Sequence, residues 1–141
     1  MATRAEALEK LRAWRNQIDA VIAQIAGDPS VINTMPETIR MWVQGTYAVG
    51  DVRKYGGIPY KCVQAHDSTD NPDWTPDTTA ALWMQYHGTT AETARAWVTP
   101  AGAHDIYRAG EYMVYTDGKV YRCKADTAYS PTDYAQAWEA V

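Results

Sequence analysis

An internal repeat with a spacing of about 60 residues constrains the fold of this chain more than any other feature of its sequence. Each copy has a tyrosine, then a glycine with an acidic residue, then a tyrosine, a glycine and a Tyr-basic-Cys triplet. The matched elements are Tyr47 and Tyr107, Gly50-Asp51 and Gly110-Glu111, Tyr55 and Tyr115, Gly57 and Gly118, and Tyr60-Lys61-Cys62 and Tyr121-Arg122-Cys123. The sequence therefore predicts two small units of similar fold.

Turn-forming residues divide each copy into short segments. Between Val43 and Cys62, the turn formers are Gly45, Gly50-Asp51, Gly56-Gly57 and Pro59, a pattern typical of short antiparallel strands. The predicted fold class is mainly β with an N-terminal α-helix, in which two small antiparallel β-modules follow a coiled-coil-type helix. The predicted domains are an oligomerisation helix (1–30), a first β-module (36–86), a linker (87–94) and a second β-module (95–141).

The N-terminal segment has the pattern of a helix that associates with copies of itself. Gly and Pro are absent from Thr3 to Ala26, Thr3 and Glu6 form a capping-box pattern, and Gly27-Asp28-Pro29 ends the helix. The predicted oligomerisation residues form an a/d seam: Leu8, Leu11, Arg15, Ile18, Ile22 and Ile25. Isoleucine at both a and d favours three or more strands, so a homotrimer is predicted. The alternative is a single amphipathic helix that lies on a neighbouring domain.

Composition and motifs exclude several classes of function. Lys and Arg total 13 against 17 Asp and Glu, for a net charge of −4, and no basic cluster indicates a nucleic-acid partner. No segment has the roughly 20 apolar residues of a membrane span, and no signal segment is apparent. The sequence lacks metal-ligand spacings, phosphate loops and nucleophile motifs. We therefore predict a non-enzymatic protein without catalytic residues, metal or cofactor, in which Cys62 and Cys123 are buried thiols.

The aromatic residues indicate which side chains form the core and which bind a ligand. The chain has six Trp, ten Tyr and no Phe, so every large ring carries a polar group. Core positions are predicted for the tryptophans that bracket the two units: Trp42, Trp83, Trp97 and Trp138. Trp74 differs because its neighbours are loop formers and charged residues, which predicts an exposed indole that can bind the apolar face of a sugar ring. An indole that only seals its loop onto the sheet remains the alternative.

Residues 42–83 resemble a known family in the order of their aromatic and glycine positions. The order Tyr47, Gly50-Asp51, Tyr55, Gly57, Tyr60-Lys61-Cys62, His66, Trp74, Pro76, Trp83 is similar to the chitin-binding type-3 module, carbohydrate-binding module families five and twelve. The resemblance implies a compact twisted antiparallel module that binds insoluble β-linked polysaccharide through surface aromatics. It also implies that Trp74 is the main platform, that Pro76 extends its apolar face and that His66 belongs to the adjacent loop.

The second unit resembles a degenerate copy of the same module. It lacks a counterpart of His66, and it has Tyr129 and Pro131 where the first unit has Trp74 and Pro76. The arrangement of one helix and two modules is similar to small tail and structural proteins of bacteriophages and prophages.

These resemblances together imply a non-catalytic glycan-binding protein of a virion. It would be made in the host cytoplasm and would face outward after assembly. Its implied partners are polysaccharide or cell-surface glycan, copies of itself and other virion proteins, with neither nucleic acid nor membrane. The alternative is a structural decoration or fibre protein that keeps the module fold without sugar binding. A third interpretation, an appendage of a secreted polysaccharide hydrolase, is disfavoured because no signal segment precedes the helix.

Overall fold

The computed structural model describes residues 3–141, which begin with one long helix. Helix α1 comprises Arg4–Ile25, and the short helix α2 comprises Pro29–Ile32. The predicted capping box is confirmed, since the Thr3 hydroxyl accepts the Glu6 N–H at 3.1 Å and the Glu6 carboxylate accepts the Thr3 N–H at 3.4 Å. Across residues 3–141, no helix has the length and apolar character that crossing a bilayer requires.

The first unit (36–86) consists of short antiparallel strands that follow a 3₁₀ turn at Pro36–Thr38. Its strands are β1 (Thr46–Tyr47), β2 (Val52–Tyr55), β3 (Ile58–Cys62), β4 (His66–Asp67) and β5 (Trp83–Gln85). Strands β2, β3 and β5 form one sheet in that order, and β1 pairs with β4. A long loop therefore connects β4 of the two-stranded sheet to β5 at the edge of the three-stranded sheet.

The second unit (95–141) has four strands in chain order. These are β6 (Arg95–Ala96), β7 (Tyr112–Val114), β8 (Val120–Cys123) and β9 (Trp138–Ala140), with a 3₁₀ turn at Ala135–Ala137 before β9. The β7–β8 and β8–β9 pairs are antiparallel, as predicted. The β6–β7 pair is parallel, which differs from the prediction of a wholly antiparallel module. The prediction of a mainly β fold with an N-terminal helix is confirmed.

The two units share the same strand register at corresponding residues. Cys62 pairs with Trp83 in the first unit, and Cys123 pairs with Trp138 in the second. Gly50 and Gly110 lie at φ of 93° and 91°, a region in which glycine carries little strain. Each glycine donates its N–H to the paired cysteine carbonyl, at 2.9 and 2.8 Å. The sequence repeat is therefore a repeat of backbone geometry.

Three clusters of buried residues hold the molecule together. The first unit buries Tyr47, Tyr60, Cys62 and Trp83, and the second buries Tyr107, Met113, Cys123, Ala137 and Trp138. A third cluster packs the C-terminal end of α1 against α2 and the first unit, and consists of Ile22, Ala26, Ile32, Ile39, Val52 and Tyr86. Both cysteines are free and buried, as predicted.

Part of the predicted helix seam contacts its own chain. Ile22 is buried and Ile25 packs against the third cluster, so Ile22 is not available to a partner helix. Arg15 donates from Nη1 to the Thr38 carbonyl at 2.6 Å and pairs with Asp19, instead of facing a partner at an a position. The alternative, a helix that lies on a neighbouring domain, thus holds for the C-terminal half of α1. Three seam residues are exposed: Leu8 and Leu11 in the N-terminal half and Ile18 in the C-terminal half.

The segment 87–94, predicted as a linker, is packed between the units. The His87 imidazole is buried and stacks on the Tyr107 ring, with centroids 3.8 Å apart and planes 6° apart. Its Nδ1 lies 3.0 Å from the Glu111 carboxylate. Gly88 accepts the Tyr112 N–H at 2.8 Å, and a Cβ at Gly88 would lie 2.4 Å from the Thr93 carbonyl oxygen. Close packing therefore requires glycine at position 88 and joins the two units directly.

Candidate functional site

Trp74 lies on a loop between β4 and β5 that is held by its own hydrogen bonds. The Trp74 N–H donates to the Asn71 carbonyl at 3.1 Å, and the Thr78 hydroxyl donates to the Asp73 carbonyl at 2.9 Å. The Thr79 hydroxyl donates to the Thr75 carbonyl at 2.7 Å. The Trp74 side chain is 38% exposed, in agreement with its predicted exposure. The loop thus presents a partly exposed indole from an ordered backbone.

His66 lies in a strand and packs against the core of the first unit. It pairs with Tyr47 in the β1–β4 ladder, and its ring centroid lies 5.7 Å from that of Tyr47 and 5.6 Å from that of Trp83. Its Nδ1 lies 2.7 Å from the Gln64 carbonyl oxygen. The resemblance placed His66 in the loop beside the platform, whereas the structure places it in the aromatic core beneath β1.

Pro76 is buried, so the structure does not place it on the exposed face of Trp74. It lines a cleft together with Tyr60 and Trp83. The expectation that Pro76 extends the apolar face therefore needs correction, because the ring follows Trp74 by two residues but turns inward. Sequence spacing alone does not reveal this orientation.

Corresponding positions in the second unit carry tyrosine. Tyr129 is 62% exposed and Pro131 is half-buried, while the Trp138 indole donates its N–H to the Tyr129 carbonyl at 2.9 Å. Thr127 pairs with Tyr107 as His66 pairs with Tyr47, so the counterpart of His66 in the ladder is a threonine. Tyr134 is a further exposed ring that the sequence analysis missed, although its polar neighbours Thr132 and Asp133 were a usable signal.

Comparison with known proteins finds a family match for the segment that contains Trp74. Residues 42–84 match the model of carbohydrate-binding module family 5/12. The chain is also 49% identical over 45 residues to Streptogrisin-C from Streptomyces griseus. That match covers 31% of this chain and 9% of the relative, so the chain spans less than a tenth of the relative's length. The match to Streptogrisin-C is thus confined to a short stretch of either chain, and the family match over residues 42–84 supports carbohydrate binding.

Residues 42–84, the segment that matches family 5/12, combine a partly exposed indole with acidic side chains on the same loop. Hydrogen bonds from the Thr69 hydroxyl and N–H lower the pKa of Asp67, which keeps this carboxylate ionised at neutral pH. Asp70, Asp73 and Asp77 lie on the same loop. Among residues 3–141, no three His, Cys, Asp or Glu side chains are grouped as metal ligands. An apolar ring face bordered by hydrogen-bonding groups is suited to binding a ligand that has both apolar and hydroxyl groups.

Proposed function

We propose that this chain is a non-catalytic glycan-binding protein and that Trp74 binds a pyranose ring of an insoluble β-linked polysaccharide. The observation that carries the proposal is the partly exposed Trp74 indole on an ordered loop within the family 5/12 segment. A flat indole face packs against the C–H face of a sugar ring while the sugar hydroxyls stay in water. The sugar chemistry that this site requires is thus neutral and ring-shaped.

A second, weaker site on the second unit is part of the proposal. Its support is the shared register of the two units and the exposure of Tyr129 and Tyr134. One aromatic platform binds a sugar weakly, and linked sites raise avidity by ~10²–10⁴ when their geometry allows simultaneous binding. On this proposal the second unit is a degenerate copy of the module that adds avidity.

Self-association through α1 would multiply the sites further. The exposed apolar residues of the helix repeat at spacings of three, four and three: Leu11, Trp14, Ile18 and Val21. This heptad-like stripe supports a homo-oligomer, with a trimer as the proposed state, through a face that is rotated from the predicted seam because Arg15 and Ile22 contact their own chain.

A virion is the proposed location of this oligomer, with outward-facing modules and contacts to other virion proteins. The supporting observation is the architecture alone, one helix followed by two small β-units. The second unit has a tyrosine at position 129 where the first unit has Trp74. This difference favours the competing function, a structural fibre or decoration protein without sugar binding. The two functions differ in whether an intact Trp74 site binds polysaccharide.

Pull-down on insoluble chitin and cellulose tests the proposed function. We expect the full chain to co-sediment with the polysaccharide. The Trp74→Ala variant should lose most of this binding, because the protein then lacks the apolar indole face on which the sugar ring packs. Val49→Ala is the matched control, since Val49 is an exposed apolar residue of the same segment away from the loop. Equal binding of both variants, or no binding by the unsubstituted chain, contradicts the proposal.

A further inference from the structure

We infer that the cleft between the two units is a second sugar subsite, which takes one neutral or amine-bearing pyranose residue of the glycan bound at Trp74. This inference rests on the proposed function and adds a location and a ligand class to it. The cleft has a volume of about 130 Å³ and is lined from both sides by Tyr60, Pro76, Asp77, Trp83, Gln85 and Val98. No residue of this cleft except Pro76 was a candidate ligand contact in the sequence.

Polar groups that lack protein partners converge on this cleft. Within residues 3–141, neither the Tyr60 hydroxyl nor the Gln85 amide makes a side-chain hydrogen bond, and Asp77 uses only Oδ1, which accepts from the Thr75 hydroxyl at 2.6 Å. A hydroxyl, an amide and a free carboxylate oxygen therefore provide donors and acceptors for a hydroxylated ligand.

The buried Trp83 indole adds an independent indication from the repeat itself. Trp83 is 2% exposed, and its Nε1 is buried with no hydrogen-bond partner among residues 3–141. The corresponding Trp138 Nε1 in the second unit donates to the Tyr129 carbonyl. The two equivalent indoles therefore differ in whether their N–H has a partner within the protein, and the Trp83 ring forms part of the cleft wall.

Charge and size restrict the ligand class. Asp77 and Asp105 line the cleft and no Lys or Arg does, so carboxylated or sulfated sugars are disfavoured. Pro76 and Val98 add apolar surface suited to the C–H groups of a sugar. Since one water occupies about 30 Å³ of liquid, a cleft of about 130 Å³ holds about four water-sized groups, so it takes the polar edge of one sugar ring while the rest of that ring stays outside the cleft. The fitting ligand is a terminal or branching pyranose.

Chain continuity connects this cleft with the platform. Trp74 and Pro76 belong to one loop, with the indole on its exposed side and the proline on the cleft side. One glycan could therefore contact Trp74 and place its terminal ring in the cleft. The second unit would then contribute to binding through Val98 and Asp105, even though its own platform residue is a tyrosine.

An NMR titration with soluble oligosaccharides tests the subsite. The ligands are β-1,4-linked oligomers of N-acetylglucosamine, glucosamine and glucose, with an oligogalacturonate as the anionic comparison. We expect a neutral or amine-bearing oligomer to shift the Gln85 side-chain amide and the Asp77 and Val98 backbone signals, and the oligogalacturonate to leave them unchanged. Cleft signals that no neutral or amine-bearing oligomer moves, or that the anionic oligomer moves equally, overturn the inference.

Matched variants distinguish the subsite from the platform. Gln85→Leu should weaken oligosaccharide binding about tenfold, as for the loss of one or two hydrogen bonds, while Gln64→Leu on an exposed loop should not. Val98→Trp narrows the cleft from its exposed side and should also weaken binding, unlike Val43→Trp at the corresponding place in the first unit. If Gln85→Leu fails to fold, the comparison of Val98→Trp with Val43→Trp still tests the subsite.

The outcomes separate this inference from the proposed function. Polysaccharide pull-down by the full chain without oligosaccharide shifts at the cleft overturns the subsite and leaves the Trp74 platform intact. Cleft shifts that persist in Trp74→Ala, together with the loss of pull-down, support both. If neither format binds, both the subsite and the proposed function are wrong.

Discussion

Trp74 and Trp83 belong to the same loop-and-strand segment, yet the first indole is partly exposed and the second is enclosed. Trp83 pairs with Cys62 in the sheet and its ring contacts Tyr47 edge-to-face, with centroids 4.9 Å apart. Trp74 has only loop residues around it in the sequence. Two identical side chains thus have different environments, and a pair of substitutions can test whether their roles differ as well.

Trp83→Ala should lower the free energy of unfolding by about 3–5 kcal/mol, because it removes a fully buried aromatic ring. Trp74→Ala should lower it by clearly less, about 1 kcal/mol, because this indole is only partly buried. Urea denaturation followed by far-UV circular dichroism measures both values. A large destabilisation by Trp74→Ala would identify this indole as the seal of its loop and contradict its assignment as a platform.

The buried thiols give the molecule a predictable sensitivity to alkaline pH. Burial raises the pKa of Cys123 to about 11 and that of Tyr107 to about 12, and it also raises the pKa of Cys62. Unfolded thiols ionise near pH 9 whereas the folded ones stay protonated, so ionisation favours the unfolded state. This contribution to stability is complete below about pH 9 and is lost as pH rises toward 11.

The free energy of unfolding should therefore decrease between pH 9 and 11, and less steeply in a Cys123→Ala variant. Thiol titration with Ellman's reagent at pH 8 should detect both cysteines in denaturant and neither in the folded protein. Rapid reaction of the folded protein would show that the thiols are accessible, contrary to their burial.

Helix α1 has two faces of different chemistry, one packed on its own chain and one exposed. Arg15, Asp19, Ile22 and Ala26 face the first unit, where Asp19 also pairs with Arg40 at 2.8 Å. The exposed stripe formed by Leu11, Trp14, Ile18 and Val21 follows the helix on another side. The helix can thus remain anchored to its own chain while the stripe contacts a second copy.

A double substitution tests which helix face associates. Trp14→Ser with Val21→Ser should convert an oligomer into a monomer in light scattering, because both residues belong to the stripe and not to the predicted seam. Asn16→Ser with Ala23→Ser, on the opposite side of the helix, should leave the oligomer unchanged. A full chain that is monomeric from the outset would show that α1 does not self-associate.

Local signals explain what the sequence could predict about these elements. The limits of α1 depend on Thr3, Glu6 and Gly27, which are close in sequence, and the exposure of Trp74 follows from its polar neighbours. The burial of Ile22 could not be predicted, because its partners Val52 and Tyr86 are distant in the chain. Likewise, Pro76 turns inward only because β3 and β5 form a cleft wall behind it.

A partly buried polar network joins the helical segment to both units. The Arg95 guanidinium donates to the Tyr86 carbonyl and, at 2.7 Å, to the Asn33 side-chain oxygen. Asn33 in turn donates to the His87 carbonyl at 2.9 Å. Burial lowers the pKa of Arg95, yet a guanidinium stays charged at neutral pH. A single charged residue thus ties α2, the first unit and the second unit together.

Arg95→Ala should lower the free energy of unfolding by about 1–3 kcal/mol, because it leaves the Asn33 oxygen without its partner. It should also split the thermal transition into two, since the contact between the units is weakened. Arg122→Ala, which removes an exposed guanidinium of the second unit, is the control and should retain a single transition. Calorimetry that shows one unchanged transition for Arg95→Ala would contradict a role in joining the units.

The distribution of the six tryptophans makes the chain a natural optical reporter of its own binding. Trp14 is 61% exposed and Trp74 is 38% exposed, while the four remaining indoles are buried or half-buried within the two units. Iodide should therefore quench the fluorescence of chiefly these two residues. In a Trp14→Phe variant, Trp74 becomes the main quenchable fluorophore, and a sugar ring stacked on it would shield the indole from iodide. Occupancy of the proposed platform can then be followed in solution without any attached dye.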